Sequence, residues 1–181
     1  MASLSSINLE NLVGKTVVSR PLVIDQEHLS MFAESTYLSD EYVDLTISRN
    51  NALGPTLVDG FLLLSLLVHF SFDKPFIEVE GAYGFNYGLD RVRFTKPVMV
   101  GESVTVERTV TEARPVGETR ARVVEHVVMT KSGEAEPVMV ADWVMLYIDR
   151  ISEENADRST SDVIPEPTSP KNLSRGSGDS R

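Results

Sequence analysis

The chain has 181 residues, which fits one domain, or one domain with a tail, and is enough to bury a core. Its formal net charge of −10 argues against nucleic acid or an anionic membrane surface as a partner. It has no cysteine, which excludes disulfides, thiol catalysis and zinc–thiolate sites and fits a reducing, cytoplasmic setting.

Residues 1–14 read as a polar lead-in ending at Gly14, without the basic segment and apolar run of a signal peptide. Lys15 to Ser19 is a short candidate strand. Asp25 is a good N-cap for a following helix, with Glu27 in its first turn and Leu29, Phe32, Ala33 and Thr36 at helical spacing. Tyr37 to Val58 shows no sustained period and carries Asp40, Tyr42, Asp44 and Gly54-Pro55; it reads as a long irregular connection, a class often functional.

Asp59 to Phe72 is apolar almost all the way round, so as a helix it has no solvent face. It is too short to span a bilayer and long enough for a buried helix. Strand-forming sequence follows: Ala82 to Phe94, the segment holding Val104, Val106 and Val110, then Arg120 to Met129 and Val138 to Ile148. Turn signals separate them at Pro115-Val116-Gly117 and Lys131-Ser132-Gly133-Glu134. Strict alternation sets Asn86, Gly88 and Asp90 against Tyr87, Leu89, Arg91 and Arg93. On the last strand it sets Met139, Trp143 and Tyr147 on one face. A helix without a wet side calls for a sheet wrapped around it. The fold class is therefore α+β, with a curved antiparallel sheet around one long central helix, over residues 1–151. Residues 152–181, rich in Ser, Pro and charge, read as a disordered polar tail.

Two stretches carry a family likeness. GPTLVDGFLLLSLL is similar to the run that opens the central helix of MaoC-like hotdog hydratases and dehydratases, and FNYGLDRVRFTKPVMVGESV resembles the following strand and turn, especially in the nodulation-protein-N-like branch. The resemblance implies a hotdog fold, a homodimer, and reversible water addition to an enoyl thioester on coenzyme A or a carrier protein. It implies no metal and no cofactor. The family catalyst is an Asp with a His five residues on, ahead of the central helix. Counted from Phe32-Ala33, those positions fall on Leu38 and Val43, or, one residue back, on Tyr37 and Tyr42. No histidine lies between His28 and His69, and the His-Gly expected at the helix entrance is Asp59-Gly60 here. The chemistry needs a base for the proton alpha to a carbonyl and an acid for the hydroxyl. Leu38 and Val43 supply neither.

The remaining groups give the candidate site. Asp59 is either a helix cap or an acid/base group, and Asp40 and Tyr42 are the polar groups nearest the missing pair. Amides around Gly60 and Phe61 can polarise a thioester carbonyl. Phe61, Leu64, Asn86 and Tyr87 complete the expected substrate contacts. Ser65 and His69 share a helix face, and would suggest nucleophilic catalysis only with a third, orienting group. Three functions stay open: a lyase-like enzyme with a non-standard site, acting on a hydrophobic acyl or polyketide-type intermediate; a non-catalytic hotdog binding subunit or inactive partner; and a thioesterase-type hotdog, for which the sequence holds no distinctive motif.

Overall fold

Among the described residues, six antiparallel strands form one sheet: β1 (Thr16–Val18), β4 (Ser103–Val116), β5 (Arg120–Lys131), β6 (Pro137–Asp149) and β3 (Ala82–Phe94) in that order, with β2 (Leu22–Val23) also paired to β4. The computed structural model describes Leu4, residues 7–38 and residues 56–150. Asp40, Tyr42, Val43 and the expected tail lie outside the described residues. β1 and β2 pair with successive parts of one neighbour. The long strands are β3, β4, β5 and β6. The hairpins joining β4 to β5 and β5 to β6 turn at Gly117 and Gly133, whose φ values of 66° and 86° suit glycine.

Among the described residues, two α-helices complete the fold: α1 (Gln26–Ser35) and α2 (Gly60–Asp73). Asp25 caps α1, its carboxylate accepting from the His28 amide at 2.9 Å. Leu62, Leu63, Leu67 and Phe70 of α2 pack against Val104 and Val106 of β4, Val127 and Met129 of β5, and Met139, Trp143 and Met145 of β6. Leu29 and Phe32 of α1 lean on the same core. A helix lying across one face of a long antiparallel sheet is the hotdog arrangement the sequence implies.

Three expectations change. The lead-in is not only polar: Leu4 and Leu12 are buried, and with Ile7 and Leu9 they join a second cluster with Val110, Ala121 and Val123. A 3-10 turn at Leu9–Leu12 brings these sparse apolar side chains together. Helix α2 also keeps a solvent flank. Phe61, Val68 and Phe72 are exposed, Phe72 to 81%, because the sheet of one chain covers only one side of an all-apolar helix.

The third change concerns β3. Asn86 pairs with Met145 and Gly88 with Val144, so Tyr87 is an extra residue against β6. A second irregularity lies between Asp90 and Arg93, where Arg91 takes a φ of 53°. Bulges reset alternation. Asn86 and Leu89 pair with Met145 and Trp143, both of which face α2, so they share the face that strict alternation would have divided.

Among the described residues, no helix is long and apolar enough to cross a membrane.

Candidate active site

Asp59 fixes where α2 begins. Its Oδ1 accepts from the Phe61 amide at 2.7 Å, and its carbonyl accepts from the Leu63 amide at 3.2 Å. First-turn amides have no partners within their own helix. With Phe61 engaged by Asp59, the amides of Gly60 and Leu62 remain at the positive end of the helix dipole. The expected amide pair is thus reduced at Phe61 by the cap itself. Gly60 packs closely under Phe94: a Cβ built there would stand 3.1 Å from the ring. Asp59 Oδ2 is not used by the cap.

Two cavities share Phe61. One, of about 380 Å³, opens at the helix start and is lined by Asp59, Gly60, Phe94, Thr95 and Lys96 among others. The other, of about 340 Å³, runs between α2 and β3; its lining includes Leu64, Leu67, Val68, Leu89 and Trp143, with Ser65 and Asn86 as its polar side chains. The Phe61 ring meets Phe94 edge-on, with centroids 6.2 Å apart. A chamber with mostly apolar walls, holding a helix N-terminus and the side chains of Asp59, Thr95 and Lys96, therefore adjoins a second apolar one. Lys96 at the first chamber bonds Glu136 and pairs with Glu134 at 3.8 Å; the hydrogen bond to Glu136 holds its ammonium pKa above the usual range.

The expected site residues divide accordingly. Asp59 and Gly60 line the first cavity, Leu64 and Asn86 the second, and Phe61 both. Tyr87, exposed on the bulge of β3, lines neither. Ser65 donates to the Leu62 carbonyl at 2.8 Å, and His69 is exposed against Phe70, so they form no nucleophile–base pair. Arg91 pairs with Asp142, and Arg93 donates to the Val92 carbonyl at 2.7 Å.

None of the chain's three histidines lines either cavity. His28 Nδ1 lies 2.6 Å from Asp25 at the start of α1. His126 Nδ1 lies 2.9 Å from Asp142, across β5 and β6. Burial alone would raise the Asp142 carboxyl, but hydrogen bonds with His126 and Arg91 outweigh it and hold the pKa below the usual carboxylate range. Tyr147 is pushed up to about 12 by burial and by the charge of Glu125, so it stays protonated at neutral pH. Among the described residues, Asp59 is the only carboxylate lining either cavity.

The MaoC like domain matches residues 9–132. The chain belongs to the MaoC-like family. It is 30% identical to Nodulation protein N of Rhizobium leguminosarum bv. viciae over 151 residues, covering 81% of this chain and 92% of that protein. It is 28% identical over 131 residues to 3-hydroxyacyl-thioester dehydratase Z of Mycobacterium tuberculosis, covering 70% of this chain and 84% of that protein. A solved MaoC-like dehydratase from Rhodospirillum rubrum matches the fold with a TM-score of 0.59 at 20% identity, covering 78% of this chain and 97% of that one.

Within this MaoC-like frame, Tyr37 and Leu38 follow α1 and are both exposed, Tyr37 at a φ of 57°. Sequence reasoning missed Leu67, Leu89, Trp143 and Lys96. Trp143 had a signal, since it shares strand parity with Met139 and Tyr147. Leu89 had none, because the bulge at Tyr87 moved it.

Proposed function

We propose that this chain is a MaoC-like lyase with a non-standard active site. It dehydrates or hydrates a hydrophobic acyl thioester, or carries out a related isomerisation or cyclisation on a polyketide-type intermediate. The supporting observation is the junction at Phe61, where a helix N-terminus and a carboxylate adjoin an apolar cavity. The thioester carbonyl would lie at the Gly60 amide, whose dipole stabilises negative charge as the alpha proton leaves. Asp59 would transfer the proton through Oδ2. Asp40 and Tyr42 are the proposed second group. Asn86 would meet a polar substrate atom, Phe61 and Leu64 would hold the acyl chain, and Tyr87 would contact the substrate from the strand edge. The dehydratase relative supports the substrate class, since it acts on a 3-hydroxyacyl thioester by its name. A cysteine-free composition fits work in the cytoplasm.

Asp59→Asn tests this reading. Asn keeps an oxygen able to cap α2 but cannot act as a carboxylate acid or base. Turnover of a 3-hydroxyacyl thioester should fall by about 10²-fold or more while the melting temperature stays close to wild type. If Asp59→Asn and Asp40→Asn both keep full turnover, the two carboxylates are structural and the helix amides carry the rate. If the wild type turns over no thioester at all, the second reading stands: a binding subunit or inactive partner. The lack of a histidine in either cavity favours that reading.

A homodimer is part of the proposal. Among the described residues, β3 pairs with β6 along one edge only. Tyr83, Phe85, Tyr87, Leu89 and Phe94 on β3 are exposed, as are Phe61, Val68 and Phe72 on α2. An open apolar edge beside an uncovered helix flank invites a second copy. Light scattering at micromolar concentration should return the mass of two chains, and a single-chain mass would remove this part of the proposal.

A further inference from the structure

We propose that Trp143 is the chain-length stop of the apolar cavity, restricting the substrate to short and medium acyl chains. This rests on the acyl-thioester reading and adds a limit to it. In a single chain the rim of the cavity is exposed at Phe61, Val68 and Leu89, the flank a second copy would cover, which leaves the Phe61 end, shared with the first cavity, as the entrance. The buried part of its lining is Leu67 and Trp143, each 2% exposed. The indole is fixed from several directions. β6 is hydrogen-bonded on both sides, and Trp143 sits opposite Leu89 of β3 and Glu125 of β5. Helix α2 covers it, and its neighbours on the same face of the strand are Ala141 and Met145, both buried.

A planar side chain locked in a paired strand cannot swing aside as a loop residue can. Val127, Met129 and Met139, each fully buried, belong to the same core cluster as the indole, so the indole is backed by a packed core while it stays in place. A volume of about 340 Å³ is near the lower end of the range for small-molecule sites, roughly 300–1,000 Å³. An acyl chain entering past Phe61 therefore ends against the indole, and a longer chain can be seated only by withdrawing its thioester from the start of α2. Leucine at this position would remove much of the ring volume and deepen the cavity while keeping the position apolar.

The test uses the full chain and saturated acyl-coenzyme A ligands, which do not undergo water addition, so binding is read apart from catalysis. By calorimetry the wild type should bind hexanoyl-coenzyme A at least tenfold more tightly than dodecanoyl-coenzyme A. Trp143→Leu should shift that ratio at least tenfold toward the longer ligand. A second arm needs no variant. Trp143 is the only tryptophan in the chain, so its emission reports on that place alone. Hexanoyl-coenzyme A should change the emission saturably, with the same midpoint as the heat of binding. If it binds by calorimetry and the emission does not change, the indole does not meet the acyl chain and the proposal falls. An unchanged length preference in a folded Trp143→Leu overturns it as well, as does a wild type that prefers dodecanoyl-coenzyme A. In these cases the acyl-thioester reading stands. Should neither ligand bind the folded wild type, that reading falls first and takes the stop with it. If Trp143→Leu does not fold, the wild-type emission still decides.

Discussion

Replacing Glu125 by alanine should destabilise the chain by about 3–5 kcal/mol, the usual cost of breaking one side of a buried ion pair. For a domain of this size that lowers the melting temperature by about 10 °C or more. Glu125 is 1% exposed and Arg108 2%, and Arg108 Nη1 donates to Glu125 Oε2 at 2.8 Å. Arg108 also donates to the Phe70 carbonyl at 3.2 Å and to that of Lys74, so it closes the C-terminal end of α2. Its guanidinium lies over the Phe76 ring, 5.1 Å from the centroid. Without Glu125 this cation is buried with no counter-charge. The double variant Arg108→Met with Glu125→Leu should cost far less, because well-packed apolar residues often replace a buried pair without large loss. Thermal melts of both variants check this. A Glu125→Ala melt within about 2 °C of wild type would show that water reaches Arg108, and the pair would lose its place in the account.

The sign of the pH effect follows from burial. Desolvation raises the Glu125 carboxyl against the attraction of Arg108. A raised folded-state value means that its contribution to stability is fully present below the unfolded value, about 4.3, and is lost as pH rises through the folded value. Asp142, held low in the folded chain, acts in the opposite sense: its contribution is present above the unfolded value and lost as pH falls through the folded one.

How far the sequence foretold this molecule depends on whether the information was local. Asp59 followed by an apolar run specified the α2 start, and Asp25 with Glu27 specified that of α1, because capping needs only adjacent residues. The long strands and hairpins were legible from alternation and turn residues. Arg108 and Glu125 were legible in principle. Each occupies inward parity on its strand, between Val106 and Val110 and between Val123 and Val127, so two opposite charges aimed at one core could have been paired on paper. The faces of β3 were not legible. Nothing in Asn86-Tyr87-Gly88 marks which residue is extra, and the answer depends on the register of β6 across the sheet. The open flank of α2 was hidden for a similar reason: an all-apolar helix specifies that it must be covered, and cannot say by which chain.

A short crotonyl-type thioester should be hydrated very poorly by the wild-type chain. General acid–base groups contribute typically 10²–10⁴-fold each, so a chain lacking the family pair should run at least about 10²-fold below a hydratase that has it. The expectation rests on positions. Counted from Phe32-Ala33, as the proposal has it, the family pair would fall on Leu38 and Val43, or on Tyr37 and Tyr42, and neither register would supply an imidazole. Nor can a histidine stand in from elsewhere in the fold: His28 is held at the α1 cap, His126 lies by Asp142 away from both cavities, and His69 is exposed on α2. Among the described residues, what remains beside the α2 terminus is one carboxylate, Asp59, already shared with the Phe61 amide. Such a site can polarise a carbonyl and move one proton, but water must also be activated for addition to a short enoyl chain. A medium-length, apolar 3-hydroxyacyl thioester has better prospects, because burial of its chain between Phe61, Leu64 and Leu89 supplies binding energy that positions the alpha proton. The measurement is loss of enoyl absorbance with crotonyl-coenzyme A, set beside a family member that carries the Asp/His pair. Hydration at a comparable rate would mean that the segment after α1 aligns differently, and that a base in it has been overlooked. A rate near background, together with Asp59-dependent turnover of the longer thioester, would place the proton transfer at the start of α2.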